Sequence, residues 1–262
     1  MKEPIGVFDS GIGGTSILKE LVKLLPNENM VYLADSANAP YGQKSPEKII
    51  ALCKKNVDLL LEKGCKLIVV ACNTATTNAI AELRRVYVVP FIGIEPAIKP
   101  AALGTKTKAI GILATKGTLS SALFTKTSDL YAQNTEIVEV IGKGLVEFIE
   151  AGDLLNPELE ILLKHYVEPM IAKDIDYLVL GCSHYPYLLP LLTKLLPKGV
   201  KIIDSGEAVA LQTHNVLKSK NIKNNSNITG ELLFFTNSNT NTLEKIINKC
   251  FKTTKNTVLK TL

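Results

Sequence analysis

The sequence predicts an α/β protein built from two parallel-sheet halves, and three observations carry that prediction. Short β-branched runs alternate with amphipathic runs from the N-terminus onward, the pattern of parallel strands joined by crossover helices. The order then repeats. KGCKLIVVACNT (residues 63–74) aligns without gaps on KDIDYLVLGCSH (173–184), PIGVFDS (4–10) on AIGILAT (109–115), and VPFIGIEPA (89–97) on VKIIDSGEA (200–208). Offsets of 110, 105 and 111 residues, in the same chain order, describe one duplicated unit. Finally, each copy ends a buried apolar strand on a cysteine, Cys72 and Cys182, with small polar residues following at once. The expected architecture is two pseudo-symmetric domains, flavodoxin-like or Rossmann-like, with the site in the cleft between them. Their expected extents are 1–97 together with 208–262, and 98–207.

In chain order, residues 5–8 form a strand, followed by the glycine turn DSGIGGTS and a helix over 16–25. A second strand, 30–34, ends on Asp35. The loop SANAPYGQKS leads to Pro46, suited to a first helical position behind a Ser45 cap. That helix runs to about residue 63, where Gly64 can stop it. The strand 67–72, a helix through Arg85 and a strand over 88–94 complete the first copy. At 95–100 the register breaks and the pattern restarts with strands over 109–115 and 137–141 and a helical segment from 145 to 150. A helix opened by Asn156 and Pro157, the second cysteine strand, a helix over 187–196 and a strand within 200–208 follow. Beyond a helix to about Lys218 lie a polar linker, a strand over 232–235 and a helix over 243–251. This tail has no counterpart in the duplication and is expected to return to the first sheet, making the first domain discontinuous.

Composition narrows the functional classes. No apolar run approaches the roughly 18 residues a membrane helix needs. The start, MKEPIGVFDS, enters a strand without the apolar stretch of a signal peptide. A cytoplasmic chain with no membrane partner is expected. The five cysteines (53, 65, 72, 182 and 250) are odd in number and lack CxxC spacing, which argues against a disulfide framework or a zinc site. The net charge of +5 is concentrated in the tail, where eight Lys face two Glu from Leu217 onward. That segment reads as solvated surface. Arg84 and Arg85 are the only arginines, so the forked donor favoured by nucleic-acid sites is nearly absent, and no nucleic-acid partner is expected.

The glycine turn, Gly11, Gly13 and Gly14, is placed to cradle an anion at a helix N-terminus. It is neither a dinucleotide fingerprint nor a P-loop, because Ser16 stands where G-x-G-x-x-G needs glycine and no Gly-Lys-Ser/Thr follows. Asp35 sits where a ribose-binding acid would, which keeps a nucleotide-binding module as an alternative. Asp9 and Ser10 point from the same sheet end. Free cysteine usually just packs, and Cys53, Cys65 and Cys250 are read that way. Cys72 and Cys182 differ because they end strands where open α/β sheets bind ligands. His184 can act as a base beside Cys182 or, when charged, lower its pKa. Glu150, before a glycine, reads by itself as a solvated helix end. Two thiols across a cleft suit proton abstraction at carbon on one face and protonation on the other, which inverts a stereocentre. Ser10, Asn73, Thr74, Thr115 and Thr118 would hold carboxylates. A redox or sensor protein using the same cysteines is a further alternative.

IGVFDSGIGG (5–14), ADSANAPYG (34–42), VACNTAT (70–76), IEPA (94–97) and LGCSHYP (180–186) together resemble the cofactor-independent aspartate/glutamate racemase family, on its glutamate-specific branch. The resemblance covers essentially the whole chain. It implies interconversion of L- and D-glutamate, supplying D-glutamate for peptidoglycan and hence cell-wall biogenesis and cell shape, with no cofactor and no metal, in a homodimer. Carried over by motif, Cys72 acts on D-glutamate with Asp9 assisting, and Cys182 on L-glutamate with His184 and Glu150 assisting. Asp9, Ser10, Tyr41, Gly42, Asn73, Thr74, Ser183 and His184 line the substrate pocket, with Thr115 and Thr118 nearby. Ser183 departs from the threonine usual in the family, keeping the hydroxyl and losing a methyl group. An aspartate-specific member is the nearest rival, and the extended DSGIGG and PYG motifs favour glutamate.

Overall fold

The computed structural model describes residues 2–251 and 257–261. β1 (Ile5–Asp9) feeds α1 (Thr15–Leu24) and β2 (Met30–Ala34). Two single 3-10 turns over Ser36–Asn38 and Tyr41–Gln43 follow, then α2 (Pro46–Glu62), β3 (Leu67–Val70), α3 (Asn73–Val86) and β4 (Phe91–Gly93). The second copy comprises α4 (Ile98–Gly104), β5 (Ala109–Ala114), α5 (Lys116–Leu119), α6 (Ala122–Tyr131), β6 (Glu136–Ile141), α7 (Leu145–Ala151), α8 (Pro157–Ile171), β7 (Tyr177–Gly181), α9 (Leu189–Leu195) and β8 (Lys201–Ile203). The chain closes with α10 (Gly206–Ser219), β9 (Leu232–Thr236), α11 (Asn241–Cys250) and β10 (Thr257–Thr261).

The strands form two parallel sheets, ordered β10-β9-β2-β1-β3-β4 and β6-β5-β7-β8. The second repeats the inner order of the first, strand for strand. The register repeats too: Ile5 pairs with Leu67 as Ile110 pairs with Tyr177, and Ile68 pairs with Phe91 as Leu178 pairs with Ile202. These are the offsets of 105, 110 and 111 residues that align the sequence copies. A shared register preserves which side chains face which helix layer, because a one-residue slip would turn every side chain to the other face. β1 and β3 are buried along their whole length, as strands covered on both faces must be. β6 is an edge strand and half-exposed, and its Glu136 and Glu139 discourage pairing with another sheet.

The tail returns to the first sheet, where β9 pairs with β2 and carries β10 outside it. The reading of the tail as solvated surface falls, at residues 252–256, outside the described residues. One apolar cluster runs from Val7 and Ile17 through Ile149 and Tyr185 to Phe234, so the two sheets share packing. No helix among the described residues is long and apolar enough to cross a membrane.

Local signals act where expected. The Ser45 hydroxyl accepts from the Lys48 amide with Pro46 in the first turn, and the Asn156 side chain accepts from the Glu158 amide ahead of α8. Gly64 follows α2 at φ +75°, a conformation glycine adopts without steric cost. Elsewhere the chain departs from the expected pattern. The first cysteine strand stops at Val70, and Cys72 instead caps α3, its sulfur accepting from the Ala75 amide at 3.4 Å. The helix expected over 187–196 is a 3-10 turn, Tyr185–Leu188, followed by α9. α4, α5, α6 and β10 occupy stretches in which the pattern announces no element. α6 buries only Phe124, so it carries little hydrophobic periodicity to read.

Candidate active site

The carboxyl ends of β1, β3, β5 and β7 converge, and the contacts between the halves are reciprocal. Asp9, at the end of β1, accepts from the Ser183 hydroxyl after β7 at 2.9 Å. Thr74, after β3, shares a 2.7 Å hydrogen bond with Thr115 after β5. The first strand of each copy thus meets the third strand of the other, as across a twofold axis. Crevices at the carboxyl ends of parallel strands are where such sheets bind ligands.

On one side stands Cys72, 5% exposed, its thiol 3.7 Å from the Ser10 hydroxyl oxygen. Burial, followed by the negative charge of Asp9, pushes this thiol well above its ordinary pKa, against the opposing pull of the Ala75 amide. Negative charge at Cys182 would raise it further. Cys72 therefore rests protonated. On the other side Cys182 Sγ lies 3.8 Å from His184 Nδ1. The far nitrogen of that ring, Nε2, is 2.5 Å from Glu150 Oε1. A carboxylate can only accept, so Nε2 carries a proton and donates it to Glu150. The Gly13 amide, 3.3 Å from the same nitrogen, cannot then be its donor. Burial opposes a charged imidazole here, but the Cys182 and Glu150 hydrogen bonds and the Asp9 charge outweigh it and raise the His184 pKa well above normal. The result is an imidazolium whose Nδ1 faces the Cys182 sulfur.

Asp9 is fully buried and accepts from the Gly11 amide at 3.0 Å. Burial raises its pKa, with the charge of His184 working against that shift. Glu150 is no solvated helix end. Its side chain is 17% exposed and reaches the glycine turn, where the Ile12 amide donates to Oε1 at 2.7 Å. The turn does cradle an anion, as its glycines suggested, but the anion is the chain's own carboxylate. A Cβ on Gly11 would lie 1.9 Å from Glu150 Oε1, and one on Gly13 would lie 2.2 Å from His184 Nδ1. Glycine at both positions lets the second half press into the first, and no room is left there for a nucleotide phosphate.

The remaining sequence-selected residues divide. Thr74, Thr115 and Thr118 form a hydroxyl triangle with edges of 2.7, 3.1 and 3.2 Å. Gly42 lies against Thr115, where a Cβ would approach within 2.6 Å. Asn73 is 2% exposed, and neither atom of its amide has a hydrogen-bond partner in the protein. Buried amides are nearly always satisfied, so this one marks where a polar ligand belongs. Tyr41 is buried, and its hydroxyl donates to Asp35. Cys53 and Cys65 are buried in apolar surroundings, their thiols pushed up by burial, as packing residues would be.

Sequence reasoning passed over Ser36, whose hydroxyl donates to Glu150 Oε2 at 3.0 Å, and Asn237, which donates to Asp35. Ser36 lies inside the ADSANAPYG motif beside Asp35, but its partner is 114 positions away. Nothing local announces that pairing.

The sequence and the fold match known proteins closely. The profile of the Asp/Glu/Hydantoin racemase family matches residues 5–213. The glutamate racemase of Pseudomonas putida KT2440 is 45% identical over 245 residues, 93% of this chain and 92% of that protein. The crystal structure of glutamate racemase isoform RacE1 from Bacillus anthracis superposes with a TM-score of 0.88 at 30% identity, over 100% of this chain and 98% of that one. The Escherichia coli glutamate racemase, solved with L-glutamate and the activator UDP-MurNAc-ala, gives 0.86 at 31% identity over 99% and 98%. Two parallel sheets repeated in order and register, the shared cleft and this likeness along the whole chain lead to one conclusion: the chain belongs to the Asp/Glu/Hydantoin racemase family.

Proposed function

We propose that this enzyme interconverts L- and D-glutamate through two thiols and no cofactor, supplying D-glutamate for peptidoglycan and so for cell-wall biogenesis and cell shape. The observation that carries the reading is the pair of unlike sulfurs at equivalent strand ends. Cys182 faces an imidazolium, while Cys72 is held protonated by burial and the Asp9 charge. Starting from L-glutamate, Cys182 as thiolate takes the α-proton. The electron pair is delocalised into the carboxylate, and Cys72 returns a proton from the opposite face. Starting from D-glutamate, the roles exchange. Nothing is oxidised or reduced, and one proton enters for each that leaves.

The unpartnered Asn73 amide and the threonine hydroxyls supply neutral donors for the substrate carboxylates. Donors fixed in a site largely closed to water stabilise developing charge better than water, because they need not reorganise. Asp9, Ser10, Gly42, Ser183 and His184 border the same space, and Tyr41 supports it from behind. Glutamate is favoured over aspartate by the glutamate racemases that resemble this chain over nearly its full length. The same reading divides the chain into 1–97 with 208–262 and 98–207, supported by the addition of β9 and β10 to the first sheet. It also takes a cytoplasmic homodimer as the working form.

The test is polarimetric. Purified enzyme mixed with L-glutamate and nothing else is expected to drive the circular dichroism signal to zero, with L-aspartate far slower. Racemisation of aspartate at an equal or greater rate would overturn the substrate assignment, and no change with either would overturn the reading.

A further inference from the structure

Glu150 sits at the seam between the halves, and its carboxylate is held at both oxygens. Oε1 accepts from the Ile12 amide and from His184. Oε2 accepts from the Ser36 hydroxyl at 3.0 Å. The terminal torsion of a glutamate is broad and soft, so a carboxylate fixed at one oxygen can still pivot about it. A donor on the other oxygen removes that freedom. Ser36 supplies it from the first half, while Glu150 and His184 belong to the second.

Ser36 is itself clamped. On its N-terminal side Asp35 accepts from Asn38 Nδ2 at 2.8 Å, from Asn237 Nδ2 at 2.5 Å and from the Tyr41 hydroxyl. On its C-terminal side the Ala37 amide donates to Asn237 Oδ1 at 2.9 Å. One asparagine side chain therefore ties down both neighbours of Ser36. Asn237 follows β9, in the C-terminal extension that the duplicated unit lacks. The extension thus reaches the half of the cleft that holds Cys182.

We infer that Ser36, clamped by Asn237, is a positioning residue that holds Glu150 on His184 and thereby governs proton transfer at Cys182 rather than at Cys72. This rests on the two-thiol reading above. Supporting residues that lock the rotamer of a catalytic group commonly decide whether it is held closely enough to work. Ser36 touches no reacting atom. Its influence passes through Glu150 and the imidazole.

The test uses Ser36→Ala, Ser36→Thr and Asn237→Ala, with α-protio and α-deuterio forms of both enantiomers. Enantiomers have an equilibrium constant of one, so any variant lowers kcat/KM equally in the two directions, and rates alone cannot locate the damaged step. Isotope effects can. For Ser36→Ala, loss of one charge-assisted hydrogen bond predicts a fall in kcat/KM of roughly tenfold. The primary isotope effect should rise with α-deuterio-L-glutamate, whose proton Cys182 removes. It should fall towards one with α-deuterio-D-glutamate, because reprotonation by Cys182 then limits the rate. Asn237→Ala should move both values in the same sense by less, and Ser36→Thr should keep the wild-type pair. Unchanged isotope effects in Ser36→Ala, shifts of the opposite sense, or a Ser36→Thr variant as impaired as alanine would overturn the inference. Wild-type enzyme in the same assay separates the two levels. If it racemises glutamate while Ser36→Ala keeps wild-type isotope effects, the Ser36 role alone fails. If wild type is inert, the two-thiol reading fails with it.

Discussion

Replacing Gly11 with alanine would place a methyl carbon 1.9 Å from Glu150 Oε1 and 2.5 Å from its carboxyl carbon. Gly11 does not occupy the left-handed region, so the backbone accepts alanine and the collision is with the side chain alone. The colliding group is the end of a flexible chain that is 17% exposed, so it moves and the protein remains folded. The movement breaks the Ile12 and His184 hydrogen bonds to Oε1, now 2.7 and 2.5 Å. Bonds to charged groups are worth about 1.5–3 kcal/mol each. With water replacing part of the loss, about 2–4 kcal/mol of transition-state stabilisation disappears, which is roughly a 30- to 900-fold fall in kcat/KM. The fall must be the same for both enantiomers. Circular dichroism with L- and D-glutamate measures it, and a thermal melt checks the fold. Activity within threefold of wild type would refute Glu150 as a working part of the site. A loss accompanied by collapse of the melting temperature would refute the claim that only a side chain moves.

Other expectations follow from the same geometry. Cys72→Ser and Cys182→Ser should each lower racemisation by at least the roughly 10²–10⁴ attributed to a general acid or base, and a variant retaining most of its rate would remove that sulfur from the reaction. Asn73→Ala should raise KM about tenfold or more yet leave unfolding free energy little changed, because the amide has no partner in the protein to lose; steady-state kinetics and denaturant unfolding together decide it. The raised His184 pKa means that the folded state binds a proton more tightly than the unfolded chain, so that contribution is complete below the unfolded value of about 6.5 and is lost as pH rises through the folded one. His184→Asn should therefore flatten stability against pH above about 6.5, and an unaltered slope there would contradict the assigned shift. Lys66 and Glu28 form a 2.7 Å ion pair with side chains 6% and 2% exposed, and Glu28 also accepts from the Asn224 amide. Glu28→Gln should cost about 3–5 kcal/mol of stability by stranding a buried ammonium, with kcat at saturating glutamate unaffected. A loss below about 1 kcal/mol would mean that water reaches Lys66.

What the sequence disclosed follows from how local each signal is. The duplication was legible because strands buried on both faces keep their apolar runs, and a shared register preserved them at constant offsets. Cys72 and Cys182 stood out because each is followed at once by polar residues at a strand end. Cap residues such as Ser45 and Asn156 act within their own first turn, so neighbouring residues suffice to recognise them. Glu150 illustrates the opposite case. From its own segment it reads as a solvated helix end, and only the approach of Gly11 and Ile12, 138 positions from it in the case of Ile12, makes it a half-buried acceptor. Ser36 and Asn237 were silent for the same reason. Serine and asparagine in a loop look alike whether they face water or hold a carboxylate. The weakly patterned α6 and the short polar β10 gave little periodicity, and tertiary packing decides them.

The central claim is that two thiols act on opposite faces of one carbon, and the fate of the α-hydrogen tests it most directly. Enzyme and L-glutamate would be mixed in D2O, quenched after a few per cent conversion, and the enantiomers separated and weighed by mass spectrometry. The account predicts one deuterium in each D-glutamate formed and protium retained in the remaining L-glutamate, because Cys182 removes the hydrogen and Cys72 delivers one from solvent. Protium carried into D-glutamate, or deuterium appearing early in unreacted L-glutamate, would mean that one base serves both faces and would contradict it.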